Sequence, residues 1–224
     1  MTVLASSPVL VTAPAAMAAG VPHKPGHALV GARRGAEAVL KQDVRRLAAV
    51  SSHEQASKVM NATDKAALLA AVGTSTTSGQ AYAIAQDQAA VAAATSLAQI
   101  RGAVVSGRTT LSAAYLDWHI VVAADRIEAR AAVLDAKGAA LLTKAQAAGN
   151  TTAEATLADL TTKTTAADTA AQAAVTEVLG LSSTAKPSDV RAARATAGKD
   201  LVTARKALAA ALHDTAKATG ELAG

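Results

Sequence analysis

The chain has 224 residues, 22 bases against 17 acids, and an isoelectric point near 9.6. Half of it is apolar, yet about sixty alanines supply most of that half, Phe is absent, and the aromatics are one Trp and two Tyr. So little bulk cannot fill a thick core, which favours closely approached helices over a sheet, and the absence of Cys excludes disulfides, thiolate metal sites and a cysteine nucleophile.

Residues 1 to 23 contain no Lys, Arg, Asp or Glu, and "TVLASSPVLVTAPAAMAAG" is apolar and small. Ala16-Met17-Ala18 satisfies the A-x-A cleavage rule, so residues 1–18 are expected to be a secretory signal. Its n-region is cut short, because the first base is Lys24. A retained anchor and a disordered tail are the alternatives, and Pro8 and Pro14 argue against a stable spanning helix. Residues 19–31, with Pro22, Pro25 and Gly26, are expected as a flexible linker, leaving 32–224 as a single helical-bundle domain.

A first helix is predicted over 32–51, with Ala36, Val39, Leu40, Val44 and Leu47 recurring at three and four. Its other face carries Arg33, Arg34, Lys41, Arg45 and Arg46, and residues 19–60 hold seven bases against three acids. That face is the candidate anion-binding surface, for a lipid surface or an anionic wall polymer. A solvated basic face is the plain alternative. Nucleic acid is disfavoured, since no aromatic platform accompanies the bases and an export signal is expected.

"NATDKAALLAAVG" predicts a second helix, with Thr63 as N-cap, Asp64 in the first turn, and Leu68, Leu69 and Val72 inward. "GTSTTSG", residues 73–79, either breaks or weakens it before "QAYAIAQDQAAVAAATSLAQI" resumes helical composition. In "RGAVVSGRTT", Gly102, Gly107 and the β-branched residues leave the segment open between extended and helical.

From Ile120 the pattern strengthens. Ile120, Ile127, Leu134 and Leu141 repeat every seven residues, and Ala124, Ala131, Gly138 and Ala145 follow each by four. Large residues on one seam position and Ala or Gly on the other predict a partner helix at short range. A helix over 111–148 would be about 57 Å long. Gly149-Asn150 reads as a stop, and Thr151 to Glu154 as a capping box opening the next helix. That helix carries Ala153, Leu157, Leu160, Thr164, Ala167, Ala171, Ala174, Val178 and Leu181. A last helix, begun at Pro187 or Ser188, carries Ala197, Leu201, Ala204, Leu208, Ala211, Thr215, Ala218 and Leu222. Thr164 and Thr215 are expected to bond the preceding turn. The fold class is therefore all-α: an elongated antiparallel bundle of about four to six helices, up-down-up in its last three, with the N-terminal helices on its side or at one end.

The charge cluster in "HIVVAADRIEARAAVLDAKGAAL" has two readings. On the Ile120 seam, Asp125 and Glu128 fall on a solvated face. On a rival seam of Trp118, Val122, Asp125, Ala129 and Ala132, Asp125 turns inward and requires a cation such as an Arg, which makes Asp125 and Arg126 the candidate ion-pair residues. A metal site from His119, His213 and Asp125 is the weakest reading, and His23 and His27 are separated by Pro25-Gly26. The chain has no G-x-S-x-G, no phosphate-cradling glycine loop and no H-E-x-x-H, so no catalytic, cofactor-binding or metal-ligating residue is assigned.

"DKAALLAAV", "YLDWHIVVAADR", "AAGNTTAEATLADL" and the "VLGL" before a proline-started helix together resemble a group of uncharacterised, signal-bearing, all-helical proteins of high-GC bacteria. The resemblance covers most of residues 40–222 and implies no activity, cofactor or functional residue. In that group the segment before Ala-Ala-Asp-Arg is more aromatic than "SGRTTLSAAYLDW". The functional expectation is an exported, non-enzymatic helical bundle of the cell envelope, a structural or interaction module whose partner is another envelope protein, an anionic wall polymer, a lipid surface or a second copy.

Overall fold

The computed structural model describes residues 25–223, so the expected signal over 1–18 lies outside the described residues. Six helices follow one another: α1 (Pro25–Ala56), α2 (Ala62–Val72), α3 (Gly79–Ala93), α4 (Leu97–Ala148), α5 (Thr151–Leu179) and α6 (Pro187–Glu221). Among the described residues there is no strand beyond a single bridge, Thr74 to Ser78, inside the α2–α3 loop. The expected linker over 19–31 is corrected in its described part: residues 25–31 are helical, because a proline at the first helical position loses no bond it would otherwise make.

The 52-residue α4 is the spine, about 78 Å long at 1.5 Å per residue. Its N-terminal half packs with α1 and α3 around Leu40, Leu47, Ile84, Val91, Ile100 and Leu111. Its C-terminal half runs antiparallel to α5, and α6 returns parallel to α4, so the expected up-down-up order holds. Met60 and Leu68 bring the α2 region into the middle, against Val121, Ala124 and Ala171.

The seven-residue seam is buried as expected, except that Leu141 is only half-buried. Ala124, Ala131 and Ala145 are fully enclosed, and Gly138 lies so close to α5 that an added Cβ would sit 2.9 Å from Leu160 Cδ2. From Ala153 to Val178 every predicted α5 seam residue is buried. Thr215 donates to the Ala211 carbonyl at 3.0 Å as expected, whereas the nearest acceptor of the Thr164 hydroxyl is Asp135 Oδ1 on α4 at 2.5 Å, with the Thr161 carbonyl at 3.0 Å, so both hydroxyls are satisfied on an otherwise apolar seam.

The helix continues upstream through "RGAVVSGRTT", which is helical rather than extended. Thr109, Thr110 and Ser112 turn their hydroxyls onto the carbonyls four residues back, so the β-branched run stays helical. Gly107 is where Leu40 crosses: a Cβ there would meet Leu40 Cδ2 at 2.5 Å, whereas nothing lies within 4 Å of one at Gly102. The two glycines therefore respond oppositely to substitution. Gly107→Val is expected to cost about 1–3 kcal/mol by overpacking, and Gly102→Ala to stabilise by about 0.5–1 kcal/mol through helix propensity. Urea unfolding of the two variants checks the signs; a destabilised Gly102→Ala would contradict the open face at that turn.

Two predicted caps move by one or two residues. Asn61, not Thr63, caps α2, its side-chain oxygen accepting from the Asp64 N–H at 2.9 Å. Asn150, not Thr151, caps α5 through Ala153 N–H at 3.0 Å, and its amide also donates to the Glu221 carbonyl at 2.8 Å. In both places Asn reaches a second element with its free NH2, which a threonine hydroxyl cannot do. The 73–79 segment does break the helix: Gly73 and Gly79 take φ of 61° and 83°, where a side chain would strain the backbone.

Candidate functional site

The buried face of α1 is Ala36, Leu40, Asp43, Leu47, Val50 and Glu54, spaced four and three alternately. Asp43 and Glu54 thus stand in the seam, while Val44, predicted inward, is 36% exposed. On α4, Asp117 and Asp125 are each 3% exposed, and Glu128 is half-buried beside them. These acids form layers along the spine.

Nearest the α4 N-terminus, Asp43 lies 3.7 Å from the Arg46 guanidinium, and Asp87 Oδ2 of α3 is buried without a hydrogen-bond partner among the described residues. Burial raises both carboxyl pKa values; Arg46 and Arg108 oppose it at Asp43, and the Ser106 hydroxyl opposes it at Asp87. In the next layer Gln80 of α3 donates to Asp117 Oδ2 at 2.9 Å. Glu54 Oε1 and Oε2, Asp117 Oδ1 and Gln80 Oε1 are buried without a protein partner among the described residues. Burial pushes Glu54 up to about 7. Asp117 also reaches about 7, through burial first, with Gln80 opposing and the Glu54 charge adding. A carboxyl so placed keeps its proton near neutral pH.

The third layer contains the acids of the charge cluster. Asn61 donates to Asp125 twice, from its backbone N–H at 3.1 Å and its side-chain amide at 2.7 Å, and the same amide reaches Asp64 Oδ2 at 2.9 Å. Oxygens of Asp64, Asp125 and Glu128 lie within 4.8 Å of one another. Burial, offset by the Asn61 backbone and reinforced by Asp64, brings Asp125 up to about 6. Burial and the charges of Asp125, Asp64 and Asp168 bring Glu128 up to about 7. Three oxygens at this spacing can share protons, and they are also the hard-oxygen set a divalent cation such as Ca2+ accepts.

Both sequence readings of the cluster are thereby revised. Asp125 does not face water, and its partner is Asn61 rather than an Arg. Arg126 is exposed about 100° further round α4, on the flank facing α6, and among the described residues it forms no salt bridge. The buried face of α4 is wide because α2 and α3 cover the 117-121-125-128 edge while α5 and α6 cover the Ile120 seam.

The three-residue metal reading does not assemble. Asp125 turns to α2, His119 lies on the α4–α6 side, and His213 is exposed about 20 Å further along α6. The basic face of α1 is divided. The Arg33 guanidinium donates to the Ala94 carbonyl at the end of α3, and Arg46 faces Asp43. Arg34, Lys41 and Arg45 remain exposed.

Sequence reasoning missed Glu54, Gln80 and Asp117. The four-and-three spacing from Ala36 to Glu54 was the available signal, overridden by the default that acids lie outside. The chain matches no protein-family model, and no curated protein and no solved structure shows significant similarity to it.

Proposed function

We propose that this is an exported, non-enzymatic helical-bundle protein of the cell envelope, acting as a structural or interaction module. The observation that carries the reading is α4, an unbroken spine about 78 Å long on which every other helix is laid. Such an object holds surfaces at fixed separation along a rod. The uncharged residues 1–23, with the A-x-A motif at Ala16-Met17-Ala18, support export, as does the resemblance to signal-bearing helical proteins of high-GC bacteria. No described helix is long and apolar enough to cross a membrane.

Fractionation of the producing cell, with N-terminal sequencing, tests this reading. Envelope or medium material beginning at Ala19 is expected; cytoplasmic material retaining Met1 would remove its main support.

A second reading, docking of anionic lipid or wall polymer through the basic helix 32–51, is favoured by the exposure of Arg34, Lys41 and Arg45. Replacing those three by Gln, leaving Arg33 and Arg46 to their internal partners, should abolish co-sedimentation with anionic vesicles or purified wall. Binding that ignores salt and the triple substitution would end that reading.

A further inference from the structure

On the side of α6 away from α5, a furrow runs between α6 and α4. Its upper hollow extends from Thr109 and Pro187 to Ile120 and Gly198, and its lower hollow, about 670 Å³, from Ala123 to Leu134 and from Arg205 to Leu212. The two follow one another along parallel helices, so the furrow is about 38 Å long.

Its walls carry a second periodicity, distinct from the buried seams. On α4, Leu116, His119, Ala123, Arg126, Arg130 and Val133 are spaced three and four; on α6, Gly198, Arg205, Ala209 and Leu212 line the furrow, and Ala195 and Val202, on the adjoining outer surface of α6, complete the same spacing. That is the pattern of a helix face awaiting a helix. Val133, Leu212 and Val202 are 67%, 60% and 47% exposed, large apolar groups that the described chain leaves in water. Ala123, Ala209 and Gly198 keep the floor low enough for a backbone to come within about 8–10 Å.

The charge is one-sided. Arg126, Arg130, Arg191, Arg194 and Arg205 line the furrow, no acid does, and none of the five forms a salt bridge among the described residues. Their natural counter-ions, the spine acids, are turned to the opposite face.

We infer that the α4–α6 furrow is the docking site for an acidic amphipathic helix of a partner protein, which would lie along it as a fourth helix. A second copy presenting the same face would set five arginines against five, which charge repulsion opposes. A flat bilayer would meet only the exposed Val133, Val202 and Leu212 and leave the low floor at Ala123, Gly198 and Ala209 unfilled. A helix of about 25 residues with Leu or Ala on its seam and Glu on both flanks meets the floor and both walls at once.

The inference rests on the interaction-module reading, and its test is independent of where the protein resides. The probe is a synthetic peptide of about four heptads, Leu and Ala at the seam positions and Glu beside them, followed by fluorescence anisotropy against the whole protein. Saturable binding in the micromolar range is expected, weakened about tenfold or more between about 50 and about 300 mM salt. Arg126→Gln with Arg130→Gln and Arg205→Gln should abolish it without altering the helical circular dichroism. Ala209→Leu with Gly198→Leu, which fills the floor and keeps every charge, should abolish it as well.

A Lys-for-Glu peptide binding equally, an undiminished triple variant, or no saturable binding would each overturn the proposal. Arginine-dependent sedimentation with phosphatidylglycerol vesicles, without peptide binding, would assign the face to a membrane instead. Arginine-dependent dimerisation in light scattering would assign it to a second copy. Failure of the peptide with correct export sinks this inference alone; failure of export sinks the functional reading.

Discussion

Raising the pH from about 5 to about 8 is expected to lower the melting temperature by about 10 °C. The sign follows from Glu54 and Asp117, whose pKa values rise in the folded chain to about 7, whereas an unfolded carboxyl titrates near 4. The folded state therefore binds more protons than the unfolded state between those values. Its advantage is complete below about 4 and is lost as the pH rises through about 7. Glu54 and Asp117 are 1% and 3% exposed, so solvent screens them little, and together they are worth a few kcal/mol. Asp125 and Glu128 add in the same direction. Glu54→Gln with Asp117→Asn should flatten the dependence while preserving helix content. Thermal melts by circular dichroism across this range decide the matter: a protein equally stable at both ends would show that these carboxyls are not held as the structure places them.

Asn61→Ala is expected to destabilise by about 3 kcal/mol, although the residue itself is exposed. About 1 kcal/mol comes from uncapping α2, and about 2 kcal/mol from leaving the buried Asp125 Oδ1 without its side-chain amide donor, the bond from the residue 61 backbone N–H to Oδ2 being retained. Asp125→Ala in the same chain should recover about 1–2 kcal/mol relative to the sum of the single changes, since the orphaned carboxylate is then gone. A urea double-mutant cycle measures the coupling. Additive effects would mean that the Asn61–Asp125 contact contributes nothing beyond the cap.

Most of the fold was legible because it is written in period. The α5 and α6 seams and the seven-residue repeat of α4 name one face each, and Gly149 marks the turn between α4 and α5. What misled was chemistry set against period. Asp43, Glu54, Asp117 and Asp125 occupy inward positions, and an acid at such a position is ordinarily evidence that the face is solvated. Only spatial neighbours reverse that inference, and Asn61 lies 64 residues from Asp125 while Gln80 lies 37 from Asp117. The reach of α4 back to Leu97 was similarly hidden, because side-chain bonding by Thr109, Thr110 and Ser112 and the Leu40 crossing at Gly107 are invisible to propensity.

The basic face was legible as composition and not as surface. The bases of α1 attract notice because they cluster in sequence, yet Arg33 and Arg46 are engaged within the fold. Arg126, Arg130, Arg191, Arg194 and Arg205 are scattered over 80 positions of sequence and meet only because α6 returns parallel to α4.

Because α4 crosses from one group of helices to the other without a proline or a broken turn, it behaves as a lever. A rotation of about 5° imposed at the α5–α6 end would carry the α1–α3 end through about 7 Å over its length. An event confined to the α4–α6 side would then be felt as displacement at the far tip, with no hinge in between to absorb it.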